Sequence, residues 1–283
     1  MIGIEEREYN GIKILRLHYT ADSAKQTPEW KTEAHRALSE REWRREYEID
    51  WTIASGLPVY ADVFIRELHI AKQPLLAHPN LPMYRGWDFG LTPACVWGQL
   101  DPMGRLNILA EMVTWDGRGE MKQMGIERFA PGVIVRSNER WPNVEWKDRA
   151  DPAGWTASQT DEKTCVQIMQ DLGIYPSPGP VTFTDRKRYL TNLLERMVGG
   201  RAAIMISPDC HMVIEGLAGA YRYEKIGETG RYKQTVEKNA WSHPINGLEY
   251  MVGSIYANTT RQDDEEERGI DDERSANRSG IYY

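Results

Sequence analysis

Asp88 stands inside Gly86-Trp87-Asp88-Phe89-Gly90, where every neighbour is apolar, aromatic or glycine. A carboxylate in such a segment is costly unless it is paired, hydrogen-bonded or bound to a metal. Asp151 repeats the arrangement at the end of VEWKDRADPAG, with Asp148 just before it. Taken singly, each reads as a turn or cap residue. Taken together, two carboxylates ending neighbouring strands can hold a divalent cation through hard oxygen ligands and leave positions for phosphate and water. A third contribution is expected from a helix. Ser242-His243-Pro244-Ile245-Asn246 opens one, and His243 and Asn246, three apart, share a face. Glu111 at the end of LNILAEM, Asp148, and Glu249 one turn beyond Asn246 are candidates for acids supporting the ligands from behind.

Other chemistries find less support. No GxxxxGK[ST] loop is present to cradle nucleotide phosphates, and GETG at 227–230 reads as a hairpin turn, so ATP binding is not expected of this chain. No GxSxG elbow offers a serine nucleophile. The three cysteines, Cys95, Cys165 and Cys210, are far apart and form no CxxC, which argues against a disulfide framework and a thiolate zinc site and suits a reducing compartment.

The elements that must position these groups can be traced from pattern. YRGWDFG, PACVWGQL and LNILAEMV, with a turn at Asp101-Pro102-Met103-Gly104, predict a three-strand meander. A helix is expected within 121–129, then a strand in VEWKDRADPAG running into a Pro/Gly turn. Thr160 is expected to cap DEKTCVQIMQDLG, with two acids in the first turn and Gly173 as the stop. After Thr184, Leu190, Leu193, Leu194, Met197 and Val198 recur at helical spacing before Gly199-Gly200. Ser207-Pro208 opens a further helix through Val213, Ile214 and Leu217, YRYEKIGETGRYK reads as a hairpin, and Ser242 caps a last helix using Leu248, Met251, Val252 and Ile255. Ahead of all these lie one strand in GIKILRLHY and two charged helices, roughly 28–37 behind Thr27-Pro28 and 40–48 behind a capping box at Ser39 and Glu42.

At 283 residues with 41% hydrophobic content, one large domain with appendages is expected: an arm at 1–75, a main domain at 76–258 and a tail at 259–283. The net charge is −7, and the last 23 residues hold eight acids against four arginines, so the body is close to neutral. The tail is polar, acidic and poor in apolar residues, the composition of a disordered segment. No signal layout or membrane-length apolar run is present, so no membrane association is expected.

The order GWDFGLTPA, NILAEM, ADPAG, DEKTC, ISPDCHMVIEGLAGAYRY and EKNAWSHPINGLEY resembles the C-terminal nuclease domain of phage terminase large subunits, over roughly residues 10–258. The resemblance implies an α/β, RNase H-like mixed sheet flanked by helices, with a helical N-terminal arm. It also implies a two-metal endonuclease that uses Mg2+ or Mn2+ to cut concatemeric double-stranded DNA during packaging in the host cytoplasm, with the portal and the small terminase subunit as partners. By that resemblance Asp88 is the first-strand metal ligand, Asp151 the ligand ending the later strand, and His243 with position 246 the family's His-x-x-Asp. Position 246 is Asn here: the Asn246 amide oxygen can still serve as a metal ligand, but the site lacks one negative charge and the affinity for a second ion that goes with it. The family's ATPase domain is not expected in this chain.

Cations for DNA are sought in Arg186, Lys187 and Arg188, in Lys225, Arg231 and Lys233 of the hairpin, and in Lys238. The hairpin is the preferred clamp, since a basic ribbon can hold phosphates without reading sequence. Two further readings stand beside the endonuclease. One is a catalytically silent DNA-binding or assembly module, which Asn246 would distinguish, and the other is a resolvase-like nuclease of the same fold.

Overall fold

The computed structural model describes residues 3–9, 12–36, 43, 47–49, 56–114, 121–157, 163–227 and 231–257. The chain divides into two compact units, Met1–Leu57 and Pro58–Tyr283. The capping box at Ser39 and Glu42, most of the helix expected at 40–48, and the acidic tail lie outside the described residues.

The first unit opens with a hairpin rather than the single expected strand: β1 (Ile4–Tyr9) pairs antiparallel with β2 (Ile12–Leu17). Helix α1 (Pro28–His35) starts as expected, with Thr27 accepting from the Trp30 N–H and proline at the first helical position. Its small core is aromatic. Tyr19, Trp30 and Tyr47 surround the buried Trp43, which stacks on Tyr47 at 4.6 Å between ring centroids.

The second unit is built on a six-stranded mixed sheet. The predicted meander forms its centre: β3 (Met83–Asp88), β4 (Ala94–Leu100) and β5 (Leu106–Val113) run antiparallel in turn. β6 (Trp146–Ala150) then lies parallel to β3, and β7 (Ser177–Pro178) parallel to β6. β10 (Ile204–Ile206) closes the other edge parallel to β5. Residues 58–75, expected in the arm, pack into this unit. Val59, Tyr60 and Phe64 join its core, a short helix α2 (Arg66–His69) follows, and Ile70 bridges to Ile206.

Alternation along β3 sends Trp87 to one face and Tyr84, Gly86 and Asp88 to the other. The Trp87 face is covered by α3 (Ile126–Arg140) and α4 (Cys165–Asp171) through Phe129, Val133, Val166 and Met169. α3 starts later and runs longer than expected, despite Pro131 and Gly132 inside it. α4 is capped by Thr164 with Gln167 in a capping box, whereas the expected cap Thr160 and the two acids after it lie outside the described residues, and Gly173 ends the turn at φ +79°.

The opposite face is covered by α5 (Phe183–Glu195), α6 (His211–Glu215) and α7 (residues 242–257). Leu190, Leu193 and Leu194 of α5 are buried, each contributing about 1.5–3 kcal/mol by leaving water. Thr182, rather than Thr184, caps it. It stops at Glu195, and Met197 and Val198 leave the helix for a small hairpin of β8 (Met197–Val198) and β9 (Arg201–Ala202) turned by Gly199-Gly200. Ser207-Pro208 forms a turn, and α6 begins only at His211. The basic hairpin is present as β11 (Tyr223–Ile226) and β12 (Arg231–Val236). Ser242 occupies the first position of α7 instead of capping it. The Asn239 side chain accepts from the Trp241 and Ser242 N–H groups in that role.

Candidate active site

Asp88 and Asp151 arrive together because β3 and β6 are parallel neighbours that end at the same level. Trp87 pairs with Ala150 in register, and the Asp151 N–H donates to the Trp87 carbonyl at 3.1 Å. Side chains at the carboxyl ends of adjacent parallel strands border the crevice where sheets of this kind bind ligands. Asp88 is 4% exposed. Burial raises its carboxyl above the usual range, hydrogen bonds from His243 and Asn246 pull it back, and the nearby Asp151 raises it further. Asp151 is half-buried, and its Oδ1 accepts from the Ala153 N–H, capping the 3-10 turn Pro152–Trp155. The Asp-Pro turn reading therefore applies, and the same side chain stands beside Asp88.

Helix α7 supplies the third contribution. It crosses β3 where Gly86 meets Gly247, close enough to lay its first two turns over Asp88. His243 Nδ1 lies 2.8 Å from Asp88 Oδ2, and His243 Nε2 lies 2.8 Å from the Thr92 hydroxyl. An ionised carboxylate only accepts, so in the neutral imidazole Nδ1 carries the proton and Nε2 accepts from Thr92.

Asn246 is oriented by what surrounds it. Its Oδ1 accepts from the Tyr221 hydroxyl at 3.0 Å and from Arg186 Nη1 at 3.5 Å. A guanidinium has donors only, so the oxygen must face it, and the amide nitrogen is left for Asp88, to which Asn246 is also hydrogen-bonded. Behind Asn246, Arg186 pairs with the fully buried Glu249 at 3.0 Å, and the Tyr60 hydroxyl donates to Glu249 Oε1 at 2.7 Å. Burial pushes the Glu249 carboxyl up to about 7. The Arg186 guanidinium also lies 4.7 Å from the Tyr250 ring, and Tyr250 hydrogen-bonds Asp151. Buried atoms without a hydrogen bond include Arg186 Nε and Glu249 Oε2.

Two of the acids expected to support the site are used elsewhere. Asp148 faces the opposite side of the sheet, where Arg85 grips it in two bonds of 2.7 and 2.8 Å and Trp87 Nε1 donates at 2.7 Å. Breaking such a buried pair costs about 3–5 kcal/mol, so its place is in the framework. Glu111 lies on the Asp88 face, but both its oxygens accept backbone N–H groups, from Met212 at 2.7 Å and Val213 at 2.8 Å, and so cap α6. Only Glu249 belongs to the site, as part of the buried network beneath Asn246.

The cations separate in the same way. Arg186 has a side chain 11% exposed and builds the site instead of facing solvent. Lys187 donates to the Tyr223 hydroxyl at 2.8 Å, and Arg188 pairs with Asp185 on the surface. Lys233 pairs across the hairpin with Glu224, while Lys225, Arg231 and Lys238 are exposed side chains on or beside it. The sequence reading missed Tyr60, Thr92, Tyr221 and Tyr250, since single hydroxyl-bearing residues follow no period. Gly86 inside a strand does carry a signal, that of a close backbone approach.

The donor set can be weighed against a cation. Two carboxylates within electrostatic reach, on rigid strand ends, suit one hard divalent ion that keeps its other positions for water and phosphate oxygens. Among the described residues no group of three or more His, Cys, Asp or Glu side chains converges to hold an ion.

No protein-family model and no curated protein matches the sequence. The fold does match solved structures. The large terminase of the thermophilic bacteriophage D6E superposes with a TM-score of 0.55 at 18% identity, over 85% of this chain and 55% of that one. The P22 large terminase nuclease domain superposes with a TM-score of 0.51 at 11% identity, over 70% of this chain and 92% of that domain. This chain thus spans about half the length of the D6E protein and nearly all of the P22 domain, and it has the fold of a large-terminase nuclease domain.

Proposed function

We propose that a chain with this fold cuts double-stranded DNA by divalent-ion-dependent phosphodiester hydrolysis at Asp88 and Asp151, as the nuclease part of a viral DNA-packaging machine. The observation that carries the proposal is the buried Asp88 at a strand end beside Asp151, with His243 delivered onto it by α7. Among the described residues no helix is long and apolar enough to cross a membrane. The substrate in this reading is concatemeric DNA in the host cytoplasm, and the portal and small terminase subunit are the assembly partners.

Asp88 and Asp151 would hold the ion, Mg2+ or Mn2+, which when bound activates water and stabilises the leaving 3′ oxygen. The protein's own groups do the rest. Asp88 fixes the His243 ring through Nδ1, leaving Nε2 as the atom where a proton can be held once the Thr92 hydroxyl turns aside. Tyr250 and the Ala153 N–H hold Asp151. The β11–β12 hairpin, with Lys225 and Arg231, and Lys238 beside it give phosphates a basic contact that does not depend on sequence.

Cleavage of supercoiled plasmid in Mn2+ and Mg2+ tests the reading. The chain is expected to nick the plasmid, and Asp88→Asn and Asp151→Asn each to lower the rate by more than about a hundredfold, since the ion's charge stabilisation is worth several kcal/mol. A second reading, a silent DNA-binding module, is favoured by one observation: the Asn246 amide already occupies Asp88. DNA binding without cutting, in the wild type and in Asn246→Asp alike, would establish it instead.

A further inference from the structure

The face of α7 that reaches Asp88 brings an amide, and both ends of that amide are committed. The oxygen is taken by Tyr221 and Arg186, and the nitrogen by Asp88. An amide turned this way cannot act as a ligand beside Asp88. It donates to the same carboxylate that a cation would need, and so competes with the cation. The orientation is not free to reverse. Arg186 cannot accept a hydrogen bond, and it is held by Glu249 at 3.0 Å and by the face of Tyr250. Glu249 in turn is fixed by the Tyr60 hydroxyl.

Charge points the same way. One divalent ion neutralises the two carboxylates, Asp88 and Asp151. A second would add two positive charges next to the buried Arg186 guanidinium, whose acidic partner Glu249 is already engaged with it, and among the described residues no third His, Cys, Asp or Glu converges with these carboxylates to hold it.

We infer that Asp88 and Asp151 take a single divalent ion, and that Asn246, locked in orientation by Arg186 and Tyr221, is a positioning residue that restrains Asp88 rather than a ligand. This rests on the reading of the two strand-end acids as a metal site. An aspartate at 246 would reverse the arrangement. Its carboxylate would still accept from Tyr221 and Arg186, but toward Asp88 it would present repulsion, which a shared proton relieves without metal and a further cation relieves when one is supplied.

The test is a Mn2+ titration of the full chain without DNA, counting bound ions by the free-Mn2+ paramagnetic signal. The wild type is expected to bind one ion, lost in Asp88→Asn. Asn246→Ala is expected to keep one ion, with an affinity between unchanged and about tenfold tighter, since removing a competing donor frees the carboxylate. Asn246→Asp is expected to bind two. Two ions in the wild type, or an ion weakened by Asn246→Ala, would overturn the inference while leaving the metal site in place. No ion, or binding indifferent to Asp88→Asn, would overturn the metal site along with it. Should Asn246→Asp fail to fold, the wild-type count and the Asn246→Ala affinity still decide.

Discussion

Gly86 and Gly247 lie backbone to backbone: a Cβ on Gly247 would fall 2.9 Å from the Gly86 carbonyl oxygen, and a Cβ on Gly86 would overlap the Gly247 carbonyl. This contact is what lets α7 sit directly on β3, and it sets how far the His243 and Asn246 side chains reach over Asp88.

Gly86→Ala is therefore expected to push the helix off the strand. Overpacking of this kind costs about 1–3 kcal/mol. Urea unfolding should show the loss, and nicking activity should fall by more than stability alone predicts at temperatures where the variant stays folded. An alanine variant with wild-type stability would show that the helix can slide without cost.

His69 predicts a pH dependence of stability. It is fully buried, its Nδ1 accepts from the Ile65 N–H at 2.9 Å, and its Nε2 donates to the Leu194 carbonyl at 2.9 Å, an arrangement only the neutral ring can make. Burial lowers its pKa. The unfolded chain then binds the proton first, so stability is full above about pH 6.5 and declines as pH falls toward the lowered folded value. The Tm difference between wild type and His69→Gln should shrink over that fall. A difference that holds constant would mean the ring titrates alike in both states.

Glu249 should act with the opposite sign. With its carboxyl raised to about 7, the folded chain keeps a proton that the unfolded chain releases near pH 4.3. Its contribution is full below that lower value and is lost as pH rises to about 7. The Tm advantage of wild type over Glu249→Gln should narrow from pH 5 to pH 8. An advantage that stays constant over this range would show that the Arg186 pair keeps the carboxylate charged throughout.

Arg231 tests the hairpin as a phosphate contact. Arg231→Glu should weaken binding to DNA of any sequence and reduce the slope of log K against log salt by roughly one. Fluorescence anisotropy at several salt concentrations measures it, and an unaltered slope would remove the hairpin from the interface.

The meander and the strand before Asp151 are legible in the sequence because apolar runs there end in turn residues. From them the pairing of Asp88 with Asp151 follows. The edge strands are not legible: β10 has three residues and β7 two, too few to show a period. Helix caps slipped by a few residues where several hydroxyls compete, as Thr182 and Thr184 do, because only the folded backbone selects the one that meets an N–H. Asp148 and Glu111 show the harder limit. Their spacing suits a metal site as well as that of Asp151 does, and what separates them is the face of the sheet and the partner already there, Arg85 for one and the start of α6 for the other.

Residues 58–71 are stitched into the second unit at several points, from the Val59 N–H on the Tyr221 carbonyl to the Ala71 N–H on that of Ile206. Between those points Tyr60 donates to Glu249, and Glu249 holds the arginine that orients Asn246. The stretch by which the chain enters this unit is thus tied, through Glu249, Arg186 and Asn246, to the carboxylate proposed to hold the ion. Tension applied at Pro58 would be borne first by its bridge to Arg222 and by the Val59–Tyr221 bond, and next by Tyr60, so a lead-in pulled past those bonds and a well-aligned Asp88 are mechanically at odds.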